Sequence, residues 1–148
     1  MVFSFLVSFL FSAPPFNMAD KACTNAPAYD KAEITRSFER VPGTADYTVT
    51  VNIHSAGISG FAKYTEFLPP GAHVTILQNA GSTAATTDEK VKFVWTAFPA
   101  DPEIKIVYTI TFANLKLIMH YKGELRYLSD NVVQIHNLEP KDLKLIGE

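Results

Sequence analysis

Between residues 46 and 54 the chain reads DYTVTVNIH, with Tyr47, Val49, Val51 and Ile53 at odd positions and Thr48, Thr50, Asn52 and His54 between them. A two-residue period turns every second side chain to the same side, so this segment predicts a strand with one face on a core and the other toward water. The same period returns in residues 90–96 (KVKFVWT), where Val91, Phe93 and Trp95 share a side, and in residues 103–112, where Ile104, Ile106, Tyr108, Ile110 and Phe112 do. Further strands are predicted over residues 61–68, around Val74 and Ile76, and over residues 115–121 and 123–128. Residues 32–41 (AEITRSFERV) fit both helical and strand spacing. Strand is the reading adopted, because Pro42-Gly43 ends the segment and a clear strand follows at once.

The breaks between these runs hold turn residues: Pro42-Gly43, the two glycines of residues 55–60, Pro69-Pro70-Gly71, the loose stretch of residues 79–89, and residues 99–102 with a proline at each end. Short alternating runs separated by such turns every ~8–12 residues mark a sandwich or small barrel. No long helical pattern intervenes, which argues against a parallel α/β sheet. The expectation is an all-β fold, an immunoglobulin-like sandwich of about 7–8 antiparallel strands. It divides the chain into an apolar segment with a polar leader (residues 1–30), the sandwich (31–131) and a C-terminal tail (132–148).

Three pieces carry a resemblance: ISGFAKYTEFLPPGAHV, KVKFVWTAFPADPEIKIVYTITF and KGELRYLSDN. Their order is a strand, a Leu-Pro-x-Gly turn, a loop, a strand with a Trp, a Pro-containing turn and a strand with a Tyr. Over roughly residues 44–131 it resembles immunoglobulin-like domains of bacterial surface and periplasmic proteins, and within that class is most similar to the cohesin-like or repeat-type domains of Bacteroidota. The resemblance implies a structural or adhesive role and brings no catalytic residues. A short, single-copy chain then points to an accessory subunit or a lone binding domain rather than a stalk.

At 148 residues, 47% hydrophobic and 19% charged, the chain has the composition of a globular domain rather than a disordered one. The thirteen basic residues are dispersed and the net charge is −2, so no basic stripe points to nucleic acid. Residues 1–11 (MVFSFLVSFLF) are apolar, too short for a helix across a bilayer core of ~30 Å, and match the apolar part of a secretory signal, although no positive residue precedes them. Export to the periplasm or cell surface is the expectation. Two alternatives stand beside it: a cytoplasmic protein starting at Met18, and a retained segment that packs on a partner or enters a membrane interface.

Candidate chemistry is sparse. Cys23 is the single cysteine, which excludes an intrachain disulfide and a Cys-based zinc site and leaves pairing with another chain open. His54, His73, His120 and His136 lack metal-binding spacing, so no metal or other cofactor is expected. Glu66, Asp88, Glu103 and Glu124 are the carboxylates weighed for glycoside hydrolysis, and residues 57–60 (GISG) read as a turn rather than a nucleophile elbow. No enzyme is expected. Trp95, in phase with Val91 and Phe93, is expected in the core with its N–H bonded there.

Val94, Val107 and Ile118, apolar on nominally polar faces, suggest a covered surface, supplied by the tail (VVQIHNLEPKDLKLI, residues 132–146) or by another protein. Together with Tyr64 and Tyr127 they form the expected partner-facing set. A protein partner, engaged by a sheet face or by strand addition at an edge, is the main reading. A carbohydrate-binding module using Tyr64, Tyr121 or Tyr127 is the alternative.

Overall fold

The computed structural model describes residues 31–112 and 121–146. Ten strands follow in order: β1 (Glu33–Arg40), β2 (Asp46–His54), β3 (Ala62–Phe67), β4 (His73–Gln78), β5 (Thr83–Thr86), β6 (Lys90–Trp95), β7 (Glu103–Thr111), β8 (Lys122–Ser129), β9 (Val132–Leu138) and β10 (Leu143–Ile146). A 3-10 turn, Pro140–Asp142, separates the last two. The predicted strand over residues 115–121 lies outside the described residues except for Tyr121, as do the apolar start, Cys23, Ile118 and His120.

Two five-stranded sheets stack face to face, in the orders β10-β1-β2-β7-β4 and β5-β6-β3-β8-β9. All pairings are antiparallel except that of β10 with β1. The run β1-β2-β7-β4 reproduces one sheet of an immunoglobulin domain and β3-β8-β9 the other, which makes the fold an immunoglobulin-like β-sandwich. β5 and β6, inserted between β4 and β7, widen the second sheet beyond β3.

The odd-even pattern decides which side chains meet. Val49, Val51 and Ile53 of β2 and Ile104, Ile106, Tyr108 and Ile110 of β7 are buried on one inner face, opposite Val91, Phe93 and Trp95 of β6 and Leu125 and Tyr127 of β8. The Phe93 ring lies 6.3 Å from Tyr64 in its own sheet and 6.0 Å from Tyr108 in the other, so aromatic contacts knit the layers together. Trp95 sits in the core at 2% exposure, with its Nε1–H donating to the Ala80 carbonyl at 2.9 Å.

The expected boundary at residue 131 is corrected by the tail. Ser129 pairs with Val132 across Asp130 and Asn131, both at positive φ (50° and 63°), a two-residue turn whose twist matches the right-handed twist of the strands it joins. That turn sends the chain back as β9, fully paired with β8, and β10 then crosses to the other sheet. The tail is therefore part of the sandwich: it supplies an edge to each layer.

Candidate interaction edge and the buried ion pair behind it

β1 and β3 each break the apolar pattern of the interior with one charge. Ile34, Arg36 and Phe38 point inward from β1, and Ala62, Tyr64 and Glu66 from β3. Both charged side chains are fully removed from solvent, and Arg36 Nη1 donates to Glu66 Oε2 at 2.7 Å across the two sheets. The Tyr64 hydroxyl donates to the other Glu66 oxygen, and the Tyr108 and Tyr121 hydroxyls bond to each other. The Arg36 guanidinium also lies 4.8 Å from the centre of the Tyr121 ring.

Burial pushes the Glu66 carboxyl up to about 7, with the Arg36 guanidinium as the main opposing influence. Burial is the largest single influence and pulls the Arg36 guanidinium down, but Glu66 together with Tyr64, Tyr121 and Tyr108 outweighs it and the group ends above its ordinary value. Tyr64, Tyr108 and Tyr121 are driven well above the usual phenol range, first by burial and next by Glu66, so all three stay protonated.

Arg36 also fixes the tail. Its Nη2 donates to the carbonyls of Tyr121 at 3.2 Å and Glu139 at 3.3 Å. Tyr121 immediately precedes β8 and Glu139 immediately follows β9, so one side chain of β1 ties down both open ends of the β8–β9 hairpin. Gly123, at the start of β8, makes room for this cluster: a Cβ there would stand 2.9 Å from the Tyr64 hydroxyl and 3.3 Å from Glu66 Oε2.

The hairpin held in this way ends the second sheet at β9, and among the described residues no strand pairs with its outer side. Val132, Val133 and Ile135 are 56%, 61% and 53% exposed. Beside β9, a groove of about 670 Å³ is lined by Thr35, Ser37 and Asn52 from one sheet and His136, Leu138 and Asp142 from the tail. Its lining, which also includes Ile34, Arg36 and Ile146, mixes hydroxyl, amide, imidazole, guanidinium and carboxylate groups with apolar side chains.

The sequence-derived candidates distribute differently from expectation. Tyr64 and Tyr127 are corrected from partner-facing to interior, at 0% and 5% exposure, because the inward parity of β3 and β8 falls on them. Tyr121 is buried as well, so none of the three rings proposed for sugar stacking reaches the surface. Val94 and Val107 do face outward, half-buried, but on opposite faces of the sandwich: Val94 pairs with Lys63 and Thr83, and Val107 with Thr50 and Gln78. They share no site.

Of the four carboxylates, Glu66 is inside while Asp88, Glu103 and Glu124 are on the outside, and they do not converge. His54 stands 3.8 Å from Glu103, His73 lies on β4 at the far edge, and His136 lines the groove. Among the described residues no three of His, Cys, Asp and Glu gather as metal ligands.

No family model matches the chain, and no curated protein matches it in sequence. Among solved structures it is similar to the collagen-binding subdomain of the Enterococcus faecalis surface protein ACE, at 9% identity over 77% of this chain and 96% of that one, with a TM-score of 0.53. Weaker superpositions involve a GH20 exo-β-N-acetylglucosaminidase of Vibrio harveyi (5% identity, 78% of this chain and 18% of that one, TM-score 0.47) and the collagen-binding domain of a Staphylococcus aureus adhesin (10% identity, 72% and 96%, TM-score 0.43). At these identities the likeness to ACE speaks for the fold, and the two weaker superpositions carry no weight. The immunoglobulin-like sandwich is thereby supported, while the cohesin-like subgroup of Bacteroidota gains nothing from them.

Proposed function

We propose that this chain is a non-enzymatic interaction domain, an accessory subunit of an envelope or cell-surface assembly, that engages a protein partner by strand addition along β9. The observation that carries this reading is the contrast between β9 and the other edges. β5 and β10 have four residues each, and β4 breaks register between Ile76 and Gln78. Short or bulged edges are how sheets avoid unwanted pairing. β9 has seven residues in unbroken register with β8, and from Val132 to Leu138 it contains no Lys, Arg, Asp, Glu or Pro. Such an edge, anchored by Arg36 where it ends at Glu139, is a preformed template for main-chain hydrogen bonds.

The signal-like apolar run of residues 1–11 supports export, and the fold is one that surface proteins use as a binding scaffold. Cross-linking of the tagged full chain at native level, followed by intact-mass analysis, tests the proposal. The expected result is an exported chain whose cross-links to a protein partner map to residues 132–138. Recovery of the chain alone in the cytosol, beginning at Met18, overturns it.

A further inference from the structure

We infer that the strand added to β9 is the β9 of a second copy of this chain, running antiparallel about a two-fold axis at Gln134. The inference rests on the reading of β9 as a binding edge and names its occupant. Three observations favour a second copy.

The first is charge. An edge strand with a formal charge meets its own like charge when it pairs with itself about a two-fold axis, and like charges directly opposite are destabilising. β9 carries no formal charge at neutral pH with its histidine neutral. The neighbouring strand brings none to the seam either, because its two outward charges next to β9 neutralise each other: Arg126 Nη2 donates to Glu124 Oε2 at 3.0 Å. Two copies can therefore approach edge to edge without repulsion between these strands.

The second is self-complementarity. Val133 and Ile135 are both exposed on the outer face of β9, two residues apart. With the axis at Gln134, Val133 of each copy lies opposite Ile135 of the other, twice over, which is the isologous match a two-fold interface requires. The Leu128 side chain, paired with Val133 in the hairpin register, extends this stripe inward on each side. Val133 and Ile135 thus meet apolar residues, Val132 falls opposite His136 of the other copy, and the two five-stranded sheets join into one.

The third is closure. Pairing two identical edges uses up both, and the other described edges are short or bulged. The product is a closed dimer rather than a growing fibre.

The test is the solution mass of the full chain under reducing conditions, which removes any disulfide through Cys23, measured by light scattering on a size-exclusion column from about 1 to 200 μM. The expected result is a rise toward twice the 16.4 kDa of one chain. Ile135→Lys and Val133→Lys each return the chain to monomer with an unchanged far-ultraviolet spectrum, and Leu77→Lys, on β4, leaves the dimer intact. In a Cys23→Ala background, Gln134→Cys gives a disulfide-linked dimer on oxidation.

A monomer at every concentration overturns the inference, as does a dimer that survives both lysine substitutions. Failure of the Gln134→Cys link overturns the register. Slow amide exchange along β9 at 1 μM, independent of concentration, also overturns it, since the chain's own residues would then occupy the edge. A monomer whose cross-link to a protein partner is abolished by Ile135→Lys would refute the second copy while leaving the strand-addition reading in place.

Discussion

Arg36 and Glu66 face each other across the two sheets at 2.7 Å, with neither side chain exposed. Glu66 is the one inward charge of β3, the central strand of its sheet, and Arg36, whose guanidinium holds the tail, is the answering charge from β1. A buried pair of this kind adds little net stability, yet removing one partner leaves the other uncompensated in the interior. Its structural consequence is positional, because the same guanidinium holds the carbonyls at both ends of the β8–β9 hairpin.

Replacing Arg36 with Met is expected to destabilise the domain by about 3–5 kcal/mol in urea titrations near pH 8. The loss is smaller near pH 5.5, where Glu66 can take up a proton. The double substitution Arg36→Met with Glu66→Leu recovers part of it, since no buried charge is left. A double variant as unstable as the sum of its parts would show that the two residues act independently.

Acidification from pH 8 to pH 5.5 is expected to stabilise the protein. The folded carboxyl of Glu66 titrates at about 7, above its ordinary 4.5. Between those values the folded state binds more protons than the unfolded one, so this contribution is fully present below the ordinary value and is lost as pH rises through 7. A difference of two to three pH units corresponds to on the order of 3 kcal/mol. Urea midpoints should fall between pH 5.5 and 8 in the native chain and change much less in Glu66→Gln. Equal slopes in the two proteins would assign the effect elsewhere.

Gly123→Ala is expected to cost about 1–3 kcal/mol by overpacking. The added methyl would stand 2.9 Å from the Tyr64 hydroxyl, whose bond to Glu66 leaves it little room to retreat. Thermal unfolding of this variant alone and combined with Tyr64→Phe distinguishes the cause: removing the hydroxyl should restore much of the loss. No restoration would place the strain in the backbone.

Much of the sandwich is legible in the sequence because β2, β6 and β7 obey a strict two-residue period, and a buried face leaves such strands one register to choose. β3 is harder. Its outward parity holds Phe61 and Phe67, both over a third exposed, while its inward parity holds Glu66. Apolarity alone therefore points the wrong way, and Tyr64 reads as a surface ring. The signal that corrects it is a pair of anomalies: Arg36 in phase with Ile34 and Phe38, and Glu66 in phase with Tyr64. Two opposite charges on predicted inner faces imply each other. β5 is nearly silent, four residues of Thr and Ala in a loose stretch. β9 was visible as apolar but not as an edge, because pairing to β8 depends on the left-handed turn at Asp130 and Asn131, residues that enter that conformation more readily than most.

Amide hydrogen exchange followed by mass spectrometry tests most directly whether β9 is where this protein makes its contacts. Exchange is compared between the dilute chain and its associated state, concentrated or in the captured complex. The account predicts new protection concentrated in residues 132–138, with the edges β4 and β5 unchanged. Protection appearing over β4, β5 or an outer sheet face while β9 exchanges as in the dilute chain would contradict it.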